Sequence, residues 1–358
     1  MLLDVAMEVR REQLRTVRWT DDAPGPLEDG QARLRVDQFA LTANNVTYAV
    51  FGDAMAYWQF FPTEEGWGRV PVWGFADVEE SRVDGLRGGD RVYGYLPMAS
   101  HLVVRPSRIS ESGFVDDSPH RAALSPVYNQ YQRVTAGGVH DPKREREYAI
   151  LRPLFMTSFL IDDWLTDDDM FGAESVAIAS ASSKTALGLA QLLSTKGAVE
   201  VVGLTSTRNA DFVRSVGYYG RTVEYDRLGE LRSATPTVFV DMAGGGVVLG
   251  DVHRHFRDAL RKSCLVGATH WEDTAPPADL PGPEPTFFFA PDRVVKRRAD
   301  WGPNGLEARV TDAWQAFLES VDSWLTIVER TGREELEATW LEVLEGKASP
   351  AVGYIIRM

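Results

Sequence analysis

The sequence predicts an α/β protein, in which a doubly wound parallel sheet domain follows an N-terminal all-β domain. Three observations carry that prediction. The chain has 358 residues, more than the roughly 250 at which a single core stops growing. Its first hundred residues read as short strands broken by Pro, Gly and Asp clusters, the pattern of a barrel or sandwich. Its middle alternates apolar strands with amphipathic helices, the rhythm of parallel strands joined by right-handed crossovers. The expected division is 1–150, 151–295 and a C-terminal segment 296–358 of helices and a strand that returns to the first domain.

Composition removes several classes. Hydrophobic residues at 44% and charged residues at 25% are the balance of a globular chain. A net charge of −14 repels nucleic acid and anionic membranes, so neither is expected as a partner. Cys264 is the only cysteine, which excludes an internal disulfide and any cysteine-cluster metal site. Charges fall within the first ten residues, and no apolar run approaches the roughly 18 residues of a membrane helix. A cytoplasmic location is the expectation.

In the first part, VRREQLRTVRW, GQARLRVDQFALTA and SHLVVRPSRI supply strands, and no long amphipathic helix interrupts them. In the middle, ESVAIASASS is a strand running into small residues. The following helix places Ala186, Leu189, Ala190 and Leu193 on one face and stops at Gly197. AVEVVGLTS, TVEY, TPTVFVDMAGG and SCLVGAT read as further strands, with helices over ADFVRSVGYYG and VHRHFRDALRK. The acidic, Pro-rich stretch 272–286 reads as a surface loop and FFFA (287–290) as one more strand. A stripe from Trp314 through Phe317, Leu318, Val321, Trp324 and Leu325 to Val328 predicts a helix, and a second covers 334–345. VGYIIR closes the chain as a strand.

The chemically loaded place is the first strand-to-helix turn of the middle domain. A nucleotide-binding turn needs small residues, so that backbone approaches a pyrophosphate at the helix N-terminus. Ser180, Ser183 and Ala186 stand where glycines are usual, with Gly188 further along; Ser182 lies between the two serines, and Lys184 and Thr185 open the helix. A plain turn capped by Ser182 or Ser183 accounts for this segment equally well. SSKT is not a phosphate-binding P-loop, because Ile178 and Ser183 occupy its glycine positions. The second strand ends in Thr205, Ser206, Thr207, Arg208, and no acid stands at that end to accept from a ribose hydroxyl. An arginine fork there matches a 2′-phosphate, which points to NADP over NAD. An exposed arginine in an ordinary loop is the plainer account of Arg208.

Taken in order, these segments resemble the medium-chain dehydrogenase/reductase superfamily, in its zinc-independent, quinone-oxidoreductase-like and enoyl-reductase-like wing. Gly89-Asp90-Arg91-Val92 is similar to the G-D-x-V turn of that family's GroES-like β-barrel; VAIASASSKTALGLAQLL, RNADFVRSVGYYGRTVEYD and VFVDMAGGG are similar to motifs of its Rossmann-type domain. The resemblance covers nearly the whole chain. It implies a Rossmann-type doubly wound parallel sheet plus an N-terminal GroES-like barrel. Where zinc-dependent relatives carry G-H-E this chain has Gly74-Phe75-Ala76, and its Ala43–Thr47 segment has no cysteine. No three ligands for catalytic zinc can be assembled.

The resemblance also implies a substrate loop at residues 43–52, with Tyr48 as proton donor and Asn45 as carbonyl-orienting amide. A phenol, with an ordinary pKa of about 10, serves as an acid at neutral pH. Tyr57, Trp58, Tyr128, Asn129 and Tyr131 are candidates to line an apolar substrate cleft. Packing of the barrel is the alternative for these rings and the stronger one for Trp58, Phe60 and Phe61; for Tyr48 and Asn45 the two accounts are level.

Other residues offer less. His253 and His255 are two apart on a helix and face different sides. His101, His120, His140 and His270 have no partner at a recognisable spacing. Asp162, Asp163 and Asp167–Asp169 read as a solvated helix boundary, and Asp241 as a turn cap or a residue of the cofactor groove. The expected activity is NADPH-dependent reduction of a carbonyl or α,β-unsaturated carbonyl small molecule. The alternatives are a quinone reductase and a non-catalytic nucleotide- or ligand-binding protein. Relatives that pair sheet edges suggest a homodimer through FFFA.

Overall fold

A computed structural model describes residues 4–23, 25–134, 142–267, 279–302 and 304–358. Two compact units emerge from the packing: residues 1–150, 327–348 and 352–358 form one, and 151–326 with 349–351 form the other. The segment 296–358 is thus divided between them.

The first unit begins with a hairpin, β1 (Val5–Arg10) and β2 (Gln13–Asp21), followed by β3 (Ala32–Leu41). An eight-residue helix, α1 (Ala43–Val50), leads to β4 (Trp67–Gly68), β5 (Pro71–Ser81), β6 (Arg91–Pro97), β7 (His101–Val104), β8 (Pro106–Ser110), β9 (Gly113–Asp116) and β10 (Gln130–Arg133). The second unit runs α2 (Glu145–Asp167), β11 (Ser175–Ala179), α3 (Lys184–Lys196), β12 (Glu200–Thr205), α4 (Thr207–Val216), β13 (Arg221–Glu224), β14 (Thr237–Asp241), α5 (Gly246–Phe256), β15 (Leu260–Leu265), β16 (Thr286–Phe287), α6 (Ala290–Trp301) and α7 (Gly305–Val321). The chain ends with β17 (Thr326–Thr331), α8 (Arg333–Leu344) and β18 (Val352–Arg357).

In the first unit β18 pairs antiparallel with β3, which pairs with β5, and β5 with β6. The C-terminal strand therefore completes the sheet begun by the N-terminal residues. In the second unit six parallel strands lie in the order β13-β12-β11-β14-β15-β16. Numbered within the unit this is 3-2-1-4-5-6, the doubly wound order whose switch point lies beside its first strand. Both faces of that sheet are covered. Val176 and Ile178 of β11 face a core with Ile161, Leu189 and Cys264, while Ala177 and Ala179 face one with Leu204, Phe239 and Val252. That two-residue alternation explains why β11 reads as a continuous apolar run.

Several elements differ from the sequence reading. The helix read over VHRHFRDALRK starts earlier, at Gly246, and ends at Phe256, and Leu260 already opens β15. The helix over the Trp314 stripe ends at Val321, and the β-branched TIVERT that follows is β17, so Val328 lies in a strand. Trp324 stays buried by donating its indole N–H to the Tyr218 hydroxyl at 3.0 Å. FFFA contributes only Phe287 to β16; Phe288 and Phe289 lead into α6, whose Pro291 suits a helix start. Among the acids near 162–169, Asp167–Asp169 are the exposed helix boundary expected, since α2 ends at Asp167; Asp162 and Asp163 are not, and Arg293 and Arg297 of α6 bind Asp163 and Asp167 at 2.6–2.9 Å. His140, His270 and residues 272–278 lie outside the described residues.

Candidate functional site

The turn after β11 has the backbone of a glycine turn without its glycine. Ser180 adopts φ +53°, in the left-handed region that L side chains rarely enter, a conformation that costs about 1–3 kcal/mol outside glycine. The surrounding bonds hold it there. Ser180 donates its main-chain N–H to the Tyr225 hydroxyl at 2.9 Å, and its carbonyl accepts from Ser183 at 2.8 Å. Ser183 is the N-cap of α3, its hydroxyl accepting from the Ala186 N–H at 3.2 Å. Further along, Gly188 lets α3 approach α2 closely. A Cβ there would stand 2.7 Å from the Ser158 hydroxyl, which bonds the Thr185 carbonyl at 2.7 Å.

Around this turn the polar side chains are held by the protein. Ser182 accepts from the Asn209 amide at 3.1 Å, tying the turn to the first helical turn of α4. Lys184, in the first turn of α3, donates to the Pro350 carbonyl at 3.2 Å, and burial lowers its pKa to about 8. Thr205 is buried at the end of β12, Ser206 is the N-cap of α4, and Arg208 projects exposed from that helix's first turn.

Strand register adds two residues that one-dimensional reading missed. One is Tyr225. The other is Glu224, the partner of Thr205 across β12 and β13. An acid does therefore stand at the sheet edge where none was read from β12 alone. Hydrogen bonds from Thr207 and from Arg214, the latter 3.1 Å away, hold its carboxyl below the usual range. Asp241 caps the turn after β14, its carboxylate accepting from the Ala243 and Gly244 N–H groups at 3.0 Å.

In the first unit, Asn45 and Tyr48 both lie on α1 and are buried. The Asn45 carbonyl accepts from the Thr42 N–H at 2.7 Å and its amide donates to the Pro71 carbonyl at 2.8 Å. Both ends are engaged, so Asn45 fixes the start of α1 and is not left to orient a carbonyl. The Tyr48 oxygen accepts from the Trp73 indole N–H at 3.1 Å. Burial pushes the Tyr48 pKa far up, the Tyr57 ring adding to that and hydrogen bonds from Trp73 and Asn44 opposing it.

The expected substrate-lining residues form the core of this unit. Tyr48, Tyr57 and Tyr128 pack ring against ring with centroids 4.7–6.3 Å apart, and the Tyr57 and Tyr128 hydroxyls are hydrogen-bonded at 3.1 Å. Tyr131 stacks on Phe114 and donates its hydroxyl to the Tyr95 carbonyl at 2.6 Å. Trp58 fills a slot made by Gly52 and Gly68, where an added Cβ would meet its indole at 2.0 and 2.4 Å. Asn129 is buried, with its amide 3.5 Å from the Arg121 carbonyl. Trp58 and Tyr131 are thus packing residues. Phe75, at the position of the zinc-ligand motif, is fully buried against Tyr93. Among the described residues no three His, Cys, Asp or Glu side chains are grouped to hold a metal ion, and no helix is long and apolar enough to cross a membrane.

The fold is that of the medium-chain dehydrogenase/reductases. The chain superposes on CurA from Vibrio vulnificus, solved in complex with NADPH, with a TM-score of 0.67 and 12% identity, covering 99% of this chain and 98% of that one. A putative NADPH:quinone reductase from Mesorhizobium loti gives 0.65 and 12% with the same coverage. A mutant form of enoyl thioester reductase from Candida tropicalis gives 0.60 and 11% over all of both chains. Within that fold, residues 39–349 match the family model described as "Protein of unknown function (DUF2855)", and the chain belongs to this family. Among curated proteins, none matches in sequence.

Proposed function

We propose that the protein is an NADPH-dependent, zinc-independent oxidoreductase reducing a carbonyl or α,β-unsaturated carbonyl small molecule. The observation that carries this reading is Ser180. A side-chain-bearing residue is kept in a glycine conformation at the switch point of a doubly wound sheet, and such strain concentrates where a ligand is bound. The donor set fits a dinucleotide phosphate. The N-terminal turn of α3, with its dipole and the Lys184 ammonium, would hold the pyrophosphate; the Ser180, Ser182, Ser183 and Thr185 hydroxyls flank it. Arg208, Thr205 and Ser206 would take the 2′-phosphate, with Glu224 kept from opposing it by Arg214. Complexes of fold relatives with NADPH support the same choice.

When bound, NADPH supplies the hydride. Tyr48 would supply the proton: Trp73 donates to its oxygen, which leaves the phenol proton to be given elsewhere, and a phenol is protonated at neutral pH. Asn45 acts through position, holding the first turn of α1. Tyr48→Phe is expected to lower kcat about a hundredfold or more with enones or aldehydes, leaving the NADPH Kd unchanged. An unchanged kcat removes Tyr48 from the chemistry.

A second reading, a nucleotide-binding protein without turnover, is favoured by one observation. The rings expected to receive substrate are buried against one another. NADPH binding with no oxidation by enones, aldehydes or quinones would select it. Turnover with quinones alone, indifferent to Tyr48→Phe, would select a quinone reductase.

A further inference from the structure

We infer a second small-molecule site at the outer edge of the parallel sheet, suited to an aromatic monocarboxylate. The site is an open cleft of about 380 Å³ beside β16, lined by Trp164 of α2, Phe287, Phe288 and Phe289, with Lys262 of β15 at its side. That volume falls in the range of small-ligand pockets. β14 and β15 separate β16 from β11, so this is not the nucleotide turn.

The charge pattern selects the occupant. Three cations line the cleft. Arg293 is paired with Asp163 and Asp167, and Lys296 with Asp167 and Asp300. Lys262 has no carboxylate within ion-pair distance among the described residues, in a chain where acids outnumber bases by 52 to 38. Its ammonium instead lies 5.8 Å from the Trp164 ring centre and 5.7 Å from that of Phe171. An ammonium held over aromatic faces and lacking its own anion is complementary to a carboxylate attached to a flat apolar body. Trp164 and Phe288, packed on each other with centroids 5.5 Å apart and only partly buried, form the apolar wall against which that body would lie. Asp292 also lines the site, and its carboxylate would oppose a second negative charge there. The site therefore takes a monoanion and rejects a dianion. This inference stands whether or not the chain binds NADPH.

Calorimetric titration of the full chain with 2-naphthoate tests it, with neutral 2-naphthamide and dianionic 2,6-naphthalenedicarboxylate as comparisons. Binding of 2-naphthoate is expected, at least tenfold tighter than either comparison. Lys262→Gln should weaken 2-naphthoate at least tenfold and leave 2-naphthamide unchanged, while Lys262→Arg should restore most of the affinity. No binding up to millimolar 2-naphthoate, or equal affinity in wild type and Lys262→Gln, overturns the proposal. So does a sedimentation dimer dissociated by Phe287→Asp whose wild-type form binds no 2-naphthoate, since a second copy would then be the occupant.

Discussion

The hydroxyl of Tyr225 lies 2.9 Å from the main-chain nitrogen of Ser180 and accepts its N–H. A tyrosine at the end of the third strand of the parallel sheet thereby stabilises a left-handed residue at the end of the first. Two substitutions separate strain from support. Ser180→Gly should stabilise the second unit by about 1 kcal/mol, raising Tm by about 2–4 °C, and leave NADPH affinity intact. Tyr225→Phe should destabilise by about 1 kcal/mol, because the Ser180 N–H loses its acceptor. Thermal denaturation reads both; a lower Tm for Ser180→Gly would mean that the turn needs the serine hydroxyl.

On the proposed reading, Lys184 should make nucleotide binding pH-dependent. With its pKa lowered to about 8, its ammonium is present below pH 8 and lost above it. Phosphate binding favours the charged form, so NADPH affinity should be level from pH 6.5 to 7.5 and fall as pH rises through 8. Lys184→Gln should bind more weakly and flatten the profile. A wild-type Kd unchanged between pH 7 and 9 would place Lys184 outside the phosphate site.

On the proposed reading, Glu224 should set the balance between the two nicotinamide dinucleotides. Its carboxylate is held by Thr207 and Arg214, a pairing that removes it as a ribose acceptor. Arg214→Ala should release it and shift preference from NADPH towards NADH. Glu224→Gln should shift preference further towards NADPH. The ratio of the two Kd values for each variant is the readout, and equal ratios throughout would show that Glu224 has no part in the choice.

Trp58 is a structural wedge. Gly52→Ala would set a Cβ 2.0 Å from its indole nitrogen and should destabilise the first unit by about 1–3 kcal/mol. Trp58→Ala should cost about 3–5 kcal/mol as a cavity. Urea unfolding measures both. A Trp58→Ala variant of full stability that lost only activity would return Trp58 to the substrate cleft.

The buried tyrosines fix the alkaline limit. Burial raises Tyr48, Tyr95 and Tyr128 strongly and pushes Tyr131 up to about 12. The unfolded chain loses these protons near pH 10 and the folded chain holds them higher, so the native state binds more protons and stability falls as pH rises. Lys184 acts in the opposite sense between about 8 and 10.5, so the urea midpoint should be followed from pH 10.5 to 11.5. It should drop steeply there, less so in Tyr128→Phe; a flat midpoint contradicts the buried cluster.

Much of the fold was legible because its signals are local. The alternation of β11 and the stripe of α3 follow from periodicity. The end of α7 was not legible, because Trp324, Leu325 and Val328 extend its apolar spacing although TIV is β-branched. Nor was α6, a charged helix whose arginines are buried only because Asp163 and Asp167 face them. At the site, Ser180, Ser183 and Lys184 were named from one turn. Tyr225 and Glu224 were not, since only the pairing of β13 with β12 brings them beside it. Trp58 packs in the core as the stronger of its two accounts had it, and Tyr131 does so too, as aromatic composition alone does not distinguish a cleft from a filled core.

The central claim is that the Ser180 turn and Arg208 bind NADPH. Titration of the purified protein with NADPH and NADH, followed by quenching of tryptophan fluorescence, tests it most directly. NADPH should bind well and NADH weakly, and Arg208→Ala should lose NADPH affinity about tenfold or more while leaving NADH unchanged. Failure of both nucleotides to bind would contradict the account, leaving a dehydrogenase fold without its cofactor.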